Sequence, residues 1–297
     1  MPNKAQNLET DVLRKKLTFR VAKQSRSRNL RLITMPGRMF LSLWYMRRAK
    51  QIRRGIRIDL PLFWGDCMSG VFPDQVTNFI YRYGYFEEEL TRAFIQYVQP
   101  GMSVIDIGGH FGYFTLLARY LVGEAGQVHT FEPTPSTMKI LGLNTQRYSN
   151  IHLVDAAAYY ENTSLEFRDY GVAYPAFNTL SQGNLEEFVP SQKIIVQAIR
   201  LDDYVAQQKI KPGFIKVDAE GAELYVIEGM KNILQRIKPI VSMEVGDVNI
   251  HSLAKSKNIV AMMMDLKYVP WQYQDGGFIR HRMKEKYEYD NLIFIPS

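Results

Sequence analysis

Four carboxylates and a lysine crowd into two neighbouring stretches of the chain. Lys216, Asp218, Glu220 and Glu223 stand within Ile215-Lys-Val-Asp-Ala-Glu-Gly-Ala-Glu223, and Glu244 closes the next apolar run, Ile240-Val-Ser-Met243. Side chains two apart on a strand point the same way, so Asp218 and Glu220 cannot both continue a strand and be buried; at least one should face solvent at a cleft mouth. Such a cluster is costly unless its members are paired, protonated or bound to something. The chemistry on offer is proton removal, with Glu220 the first choice of general base and Asp218, Glu244 and His110 the other catalytic candidates. A helix N-terminal cap beside Gly221 is the competing role for Glu220. Asp218, Glu220 and Glu244 would also suit Mg²⁺, but paired carboxylates need none, so no metal is expected, and no Cys/His cluster points to zinc. His251, just past Asp247, reads as a surface residue.

A second constellation lies upstream. Val104-Ile-Asp-Ile107 is a short apolar run that reads as a buried parallel strand, followed by Gly108, Gly109, His110 and Gly112 and then by a helix to Val122. Glycines let the backbone turn sharply and approach a ligand, and the helix start offers unpaired N–H groups. After a second strand, Gln127 to Phe131, Glu132 and Pro133 follow, and an acid there can accept hydrogen bonds from ribose hydroxyls. A dinucleotide is disfavoured: the first glycine of G-x-G-x-x-G would fall on Ile107, and Asp106 puts negative charge where a pyrophosphate should lie. A cofactor with a ribose and no phosphate fits better, and S-adenosylmethionine is one.

These loops need a scaffold. Strands over 103–107, 127–131 and 151–154 alternate with helices over 112–122 and 135–146, and the rhythm returns with 214–217, a helix from Gly221 to about Arg236, and 240–243. The pattern predicts an α/β fold, a doubly wound, mostly parallel seven-stranded sheet with helices on both faces and ligands at the carboxyl ends of the strands. Residues 158–200 break the rhythm with strands over 164–168 and 193–200 around a loop, where Tyr170, Tyr174 and Phe177 could stack on a sugar or pack locally. A last helix (252–266) and an edge pair, Tyr268 to Trp271 with Asn291 to Ile295, flank a hairpin at Asp275-Gly-Gly277.

The region from Tyr81 to Glu244, with the tail Asn291-Leu-Ile-Phe-Ile-Pro296, resembles the FkbM family of S-adenosylmethionine-dependent methyltransferases. The resemblance rests on Tyr83-Gly84 with Glu87-Glu88, Pro100-Gly101, Asp106-Ile-Gly-Gly-His-Phe-Gly112, Phe131-Glu-Pro133, Leu201-Asp202-Asp203 and the Ile215–Glu223 motif. It implies a class I, Rossmann-like methyltransferase with a cofactor site of Glu88, Asp106, Gly108, Gly109, His110, Gly112, Glu132, Pro133, Asp155, Ala156 and Asp218, with Asp155-Ala156 meeting the adenine. Glu88 at the pocket rim is the family's reading; stabilising a helix N-terminus is the other. His110 stands where the family usually has asparagine, and Gly109 where alanine is common. The implied reaction is O-methylation of a hydroxyl on a sugar or secondary metabolite. N-methylation of a peptide side-chain amide, or a non-catalytic binding role, are the alternatives. The acceptor would then be a small molecule, a glycan or a peptide.

Charge divides the chain. Residues 1–60 carry 16 Lys and Arg against Glu9, Asp11 and Asp59, a net +13, whereas the rest holds 21 basic and 27 acidic residues, a net −6. The expected division is therefore a basic helical arm, 1–60, before a methyltransferase domain, 61–297. The arm reads as two helices split near Met35-Pro-Gly37, and three roles suit it: packing on the body or on a second copy, peripheral contact with an anionic membrane through residues 1–58, or, least favoured, nucleic-acid binding. The single cysteine, Cys67, cannot form an internal disulfide, and the longest apolar stretch near the start is too short to span a bilayer. A cytoplasmic protein, able to associate with membrane through the arm, is the expectation.

Overall fold

The computed structural model of the protein describes residues 4–25, 35–171, 192–247 and 255–297. Its described residues fall into two compact units, meeting in sequence between Gln96 and Tyr97. His251, Tyr174 and Phe177 lie outside the described residues.

The first unit contains the expected pair of basic helices, α1 (Lys4–Gln24) and α2 (Pro36–Ile52), then a hairpin of β1 (Ile56–Pro61) and β2 (Cys67–Phe72), α3 (Gln75–Tyr83) and α4 (Glu88–Tyr97). The arm is packed: Leu13, Leu17, Met39 and Ala49 are buried, and the Arg92 guanidinium donates to Thr18 Oγ1 at 3.2 Å. Residues 61–96 cluster with the arm, so the change in composition near residue 60 is not a boundary of packing. Glu88 opens α4, and its carboxylate pairs at 2.8 Å with Arg92 one turn on.

The second unit is built on an eight-stranded sheet in the order β12-β11-β13-β10-β9-β3-β4-β5. The parallel strands are β3 (Ser103–Ile107), β4 (Gln127–Phe131), β5 (Ile151–Val154), β9 (Pro212–Val217) and β10 (Ile240–Val245). An antiparallel flank of β13 (Asp290–Pro296), β11 (Tyr268–Gln274) and β12 (Gly277–Arg280) completes it. The doubly wound class stands, with one strand more than the seven expected. The extra strand, β12, returns from β11 through Asp275 and Gly276, both at positive φ (50° and 88°), as a two-residue hairpin requires. From β3 the chain winds outward through β4, the helix α6 (Pro135–Thr145) and β5, then returns to β9 on the other side. The order therefore reverses between β3 and β9, the place where open α/β sheets bind ligands.

Alternation along β3 assigns the two faces. Ile105 and Ile107 join a core with Leu201 and Val205 of α7 (Leu201–Gln208), Val226 and Ile227 of α8 (Glu223–Gly229), and Ile259 and Met263 of α9 (Ser256–Asp265). Asp106 points to the opposite face, where Thr115 of α5 (Tyr113–Val122) donates to it at 2.7 Å. A small second sheet, β6 (Ala157–Tyr159), β8 (Gln192–Arg200) and β7 (Thr163–Asp169), forms from the stretch that broke the rhythm.

The helix expected from 221 to 236 is interrupted: α8 ends at Gly229 and a π-type turn occupies Ile233–Ile237. Asp202 restarts the chain there, its carboxylate accepting from the backbone N–H of Asn232 (3.1 Å) and Ile233 (3.0 Å) while paired with Arg200 at 2.9 Å. The Leu201-Asp202-Asp203 motif thus owes its buried acid to capping. Asp202→Ala should lower stability by about 1–2 kcal/mol, the usual loss for a capping side chain, read as a shift in the denaturant midpoint with unchanged slope.

Candidate active site

The ends of four parallel strands are laced together by backbone hydrogen bonds. Asp218 N–H donates to Ile107 O (3.2 Å), Gly108 and Gly109 N–H to Phe131 O (3.0 and 3.1 Å), and Glu132 N–H to Val154 O (3.1 Å). Asp218, the glycine loop, Glu132 and Asp155 therefore follow one another along one edge of the sheet, spaced by adjacent strands about 4.8 Å apart. Glu244 ends β10 on the far side of β9. Of the residues expected at the site, those from Asp106 to Glu244 are gathered here; Glu88 belongs to the other unit.

At the centre lies Lys216, only 2% exposed. It is the register partner of Asp106 across β3 and β9, so the two side chains share a face. Its ammonium pairs with Asp106 at 3.3 Å and Asp218 at 3.1 Å and donates to the carbonyls of Ile107 (3.2 Å) and Gly108 (2.9 Å). Two of the carboxylates are thereby compensated. Asp106 is fully buried and engaged by Lys216 and Thr115, so it acts from beneath the loop rather than on its open side.

The glycines answer to the protein's own packing. A Cβ on Gly108, whose φ is +76°, would lie 2.1 Å from the carbonyl oxygen of Asp218, and one on Gly109 2.3 Å from Thr130 Cγ2. Gly112, at φ +100°, is the N-cap of α5, and a Cβ there would lie 2.8 Å from Leu141 Cδ1. The loop is narrow because strand β9 and the helix after β4 leave no room. His110 sits between them at φ +49°, its ring 4.2 Å from that of Phe111.

Glu132 is held by two backbone donors, His110 N–H to Oε2 and Thr134 N–H to Oε1, both at 3.0 Å. Burial raises its pKa to about 7, against the lowering effect of these hydrogen bonds and of His110. The Thr134 hydroxyl donates to the same carboxylate, so three of its about four acceptor positions are taken and one is left. Next to it Pro133 is half-buried, Asp155 is exposed, and Ala156 is buried with its N–H on Val154 O.

The remaining carboxylates divide by role. Glu223, buried, accepts from Ala219 N–H (3.2 Å) and Gly221 N–H (3.1 Å) and so closes the turn before α8. The capping role considered for Glu220 belongs to Glu223, whose place in the first turn of the helix was the legible signal. Glu220 is held at φ +47°. Dehydration, then the like charges of Asp218, Glu244 and Glu223, raise its pKa well above the carboxylate range, with Lys216 opposing them. The residue as a whole is exposed, so the crowding of charge is the weightier cause. Tyr170 does not serve as a stacking surface, since it is buried at 4% exposure. Thr115 and Thr134 were missed from sequence; a threonine on the inner face of the first turn of α5 was the available sign of the former.

A family model, the methyltransferase FkbM domain, matches residues 106–280. The chain belongs to the FkbM methyltransferase family. The matched span takes in every strand of the sheet except β13 and most of β3, and membership implies S-adenosylmethionine as methyl donor. Among characterised proteins, hexuronic acid methyltransferase AglP of Haloferax volcanii is 24% identical over 188 residues, which are 61% of this chain and 69% of that one. Among solved structures, methyltransferase FkbM from Methylobacillus flagellatus is 14% identical with a TM-score of 0.41, covering 74% of this chain but 54% of that one. Aeropyrum pernix fibrillarin, in complex with S-adenosyl-L-methionine, is 12% identical with a TM-score of 0.41, covering 80% of this chain and 92% of that one. Among the described residues of this FkbM protein, no group of three or more His, Cys, Asp or Glu side chains could hold a metal ion. None of its described helices is long and apolar enough to cross a membrane.

Proposed function

We propose that this protein is an S-adenosylmethionine-dependent O-methyltransferase whose acceptor is a hydroxyl, most naturally of a sugar. The observation that carries the cofactor assignment is Glu132: a buried carboxylate at the end of β4, fixed by one backbone donor on each oxygen and by the Thr134 hydroxyl, with an acceptor position left for a ribose hydroxyl. The donor set suits a nucleoside, and Asp106, beneath the loop, gives no encouragement to a phosphate. When bound, the cofactor supplies a methyl group on a sulfonium, already activated for in-line displacement. Glu132 would hold the ribose, the loop from Gly108 to Gly112 would line the site with backbone, and Asp155-Ala156 would border the base. Holding the acceptor in line can supply about 7–11 kcal/mol of the barrier. Glu220 would take the hydroxyl proton, its exposed position at the cleft mouth and its raised pKa both favouring that role. The sugar acceptor is supported by the likeness to AglP, a hexuronic acid methyltransferase.

Calorimetric titration of S-adenosylmethionine tests the assignment. A carboxyl with a pKa of about 7 offers its remaining acceptor position fully only when ionised, so affinity should fall as pH drops through 7. Between pH 8 and pH 6 the weakening should be about tenfold, one decade per unit below the pKa. Glu132→Gln should bind weakly and without this pH dependence. Full affinity in Glu132→Gln would remove the site. With the cofactor established, mass location of the methyl on products from uronic acids and other sugars would separate O- from N-methylation.

A further inference from the structure

Within the first unit, α2 is docked on one side only. Met39, Ser42 and Ala49 face inward; Tyr45 stacks on Phe72 at 5.2 Å, and the Arg82 guanidinium donates to Ser42 Oγ at 2.7 Å. The opposite stripe, following the helical repeat through residues 40, 44, 47, 48 and 51, is open. Phe40 is 70% and Trp44 50% exposed, with Leu41 and Leu43 exposed beside them. The next turns of the same helix carry Arg47, Arg48 and Lys50, all exposed, and Arg53 and Arg54 follow directly. No acid occurs between Pro36 and Ile58.

We infer that α2 is a docking face for an anionic phospholipid bilayer, with Phe40, Leu43 and Trp44 entering the interface and Arg47, Arg48, Lys50, Arg53 and Arg54 meeting the headgroups. Two features of the helix decide for a membrane. The apolar half is too large for a nucleic-acid face, which calls for basic and polar groups with stacking partners along a groove. The basic half, with no acid nearby, disfavours a second copy of itself, because a two-fold contact would bring like charges together. Exposed aromatic residues in the first half of the helix, followed directly by arginines and lysines in the second, suit the boundary between acyl chains and anionic headgroups. The methyl-transfer site lies in the other unit, so this inference stands or falls apart from it.

The test is co-sedimentation of the full chain with vesicles of equal parts phosphatidylglycerol and phosphatidylcholine, against vesicles of phosphatidylcholine alone. Binding is expected to the anionic vesicles, to weaken with added salt, and to drop by at least about tenfold in both F40S/W44S and R47E/R48E. These side chains are exposed, so circular dichroism and cofactor titration should match the parent and exclude unfolding. Equal binding to neutral vesicles, or undiminished binding by either variant, overturns the inference. So does a parent dimer that F40S/W44S converts to monomer, which would assign the face to a second copy. Retention of a single-stranded RNA by the parent without any vesicle binding would assign the basic residues to nucleic acid.

Discussion

Lys216→Met is expected to lower the stability of the sheet unit by about 3–5 kcal/mol, the usual cost of leaving a buried charge without its partner. Lys216 is the lysine buried in the core among the described residues, and four acceptors depend on its ammonium: Asp106, Asp218 and the carbonyls of Ile107 and Gly108. Methionine keeps most of the volume, so the loss would report charge rather than a cavity. Adding Asp106→Asn to Lys216→Met should recover about 1–3 kcal/mol, because the stranded carboxylate is then gone. Strictly additive effects in a guanidinium double-mutant cycle would show that the pair is not coupled. The same lysine ties the end of β9 to the end of β3, where the order of the sheet reverses. Its loss should therefore also weaken the cofactor, and by more than Thr115→Val, which removes only the hydrogen bond to Asp106.

The parallel strands were legible for a physical reason. Short runs bounded by Gly, Pro or an acid and, in β3 and β4, buried on both faces can hardly be anything else, and β3, β4 and β5 were placed to the residue. The hairpin of β1 and β2 was not found. Its second strand contains Gly70, which reads as a turn residue; a Cβ there would lie 2.5 Å from Leu60 Cδ1 and 2.8 Å from Thr77, so the glycine admits α3 against the hairpin. Close packing, not turning, selected it. The interruption after α8 was equally hidden, because the cap that causes it, Asp202, comes from a distant part of the chain. The same holds at the site. Spacing brought Asp218, Glu220 and Glu223 together on one turn, but it could not say which acid the turn consumes, nor that Lys216 pairs with Asp106 on the adjacent strand. Carboxylates near one another in sequence acquire separate roles only through partners that the fold brings from elsewhere.

That separation makes Glu220 the acid whose removal should affect turnover most. Asp218 is compensated by Lys216, Glu223 by two backbone N–H groups, and Glu132 by two more with the Thr134 hydroxyl; at Glu220 the like charges of Asp218, Glu244 and Glu223 outweigh the opposing charge of Lys216. A carboxyl with raised pKa is a stronger base once ionised, so turnover should climb with pH until Glu220 has lost its proton and then level off. Glu220→Gln should reduce turnover by about 10²–10⁴-fold, the usual contribution of a placed general base, while leaving cofactor affinity near that of the parent. Stability should move the other way. A carboxyl whose pKa is raised on folding gives its full stabilisation below its unfolded value near 4.5 and loses it as pH rises through the folded value. Glu220→Gln should accordingly melt like the parent in acid and above it in mild alkali, where the parent carries the unfavourable charge. A residue that merely shaped the turn would show neither the rate loss at constant affinity nor a melting advantage confined to high pH. A variant with parental turnover would return the proton to His110 or Glu244.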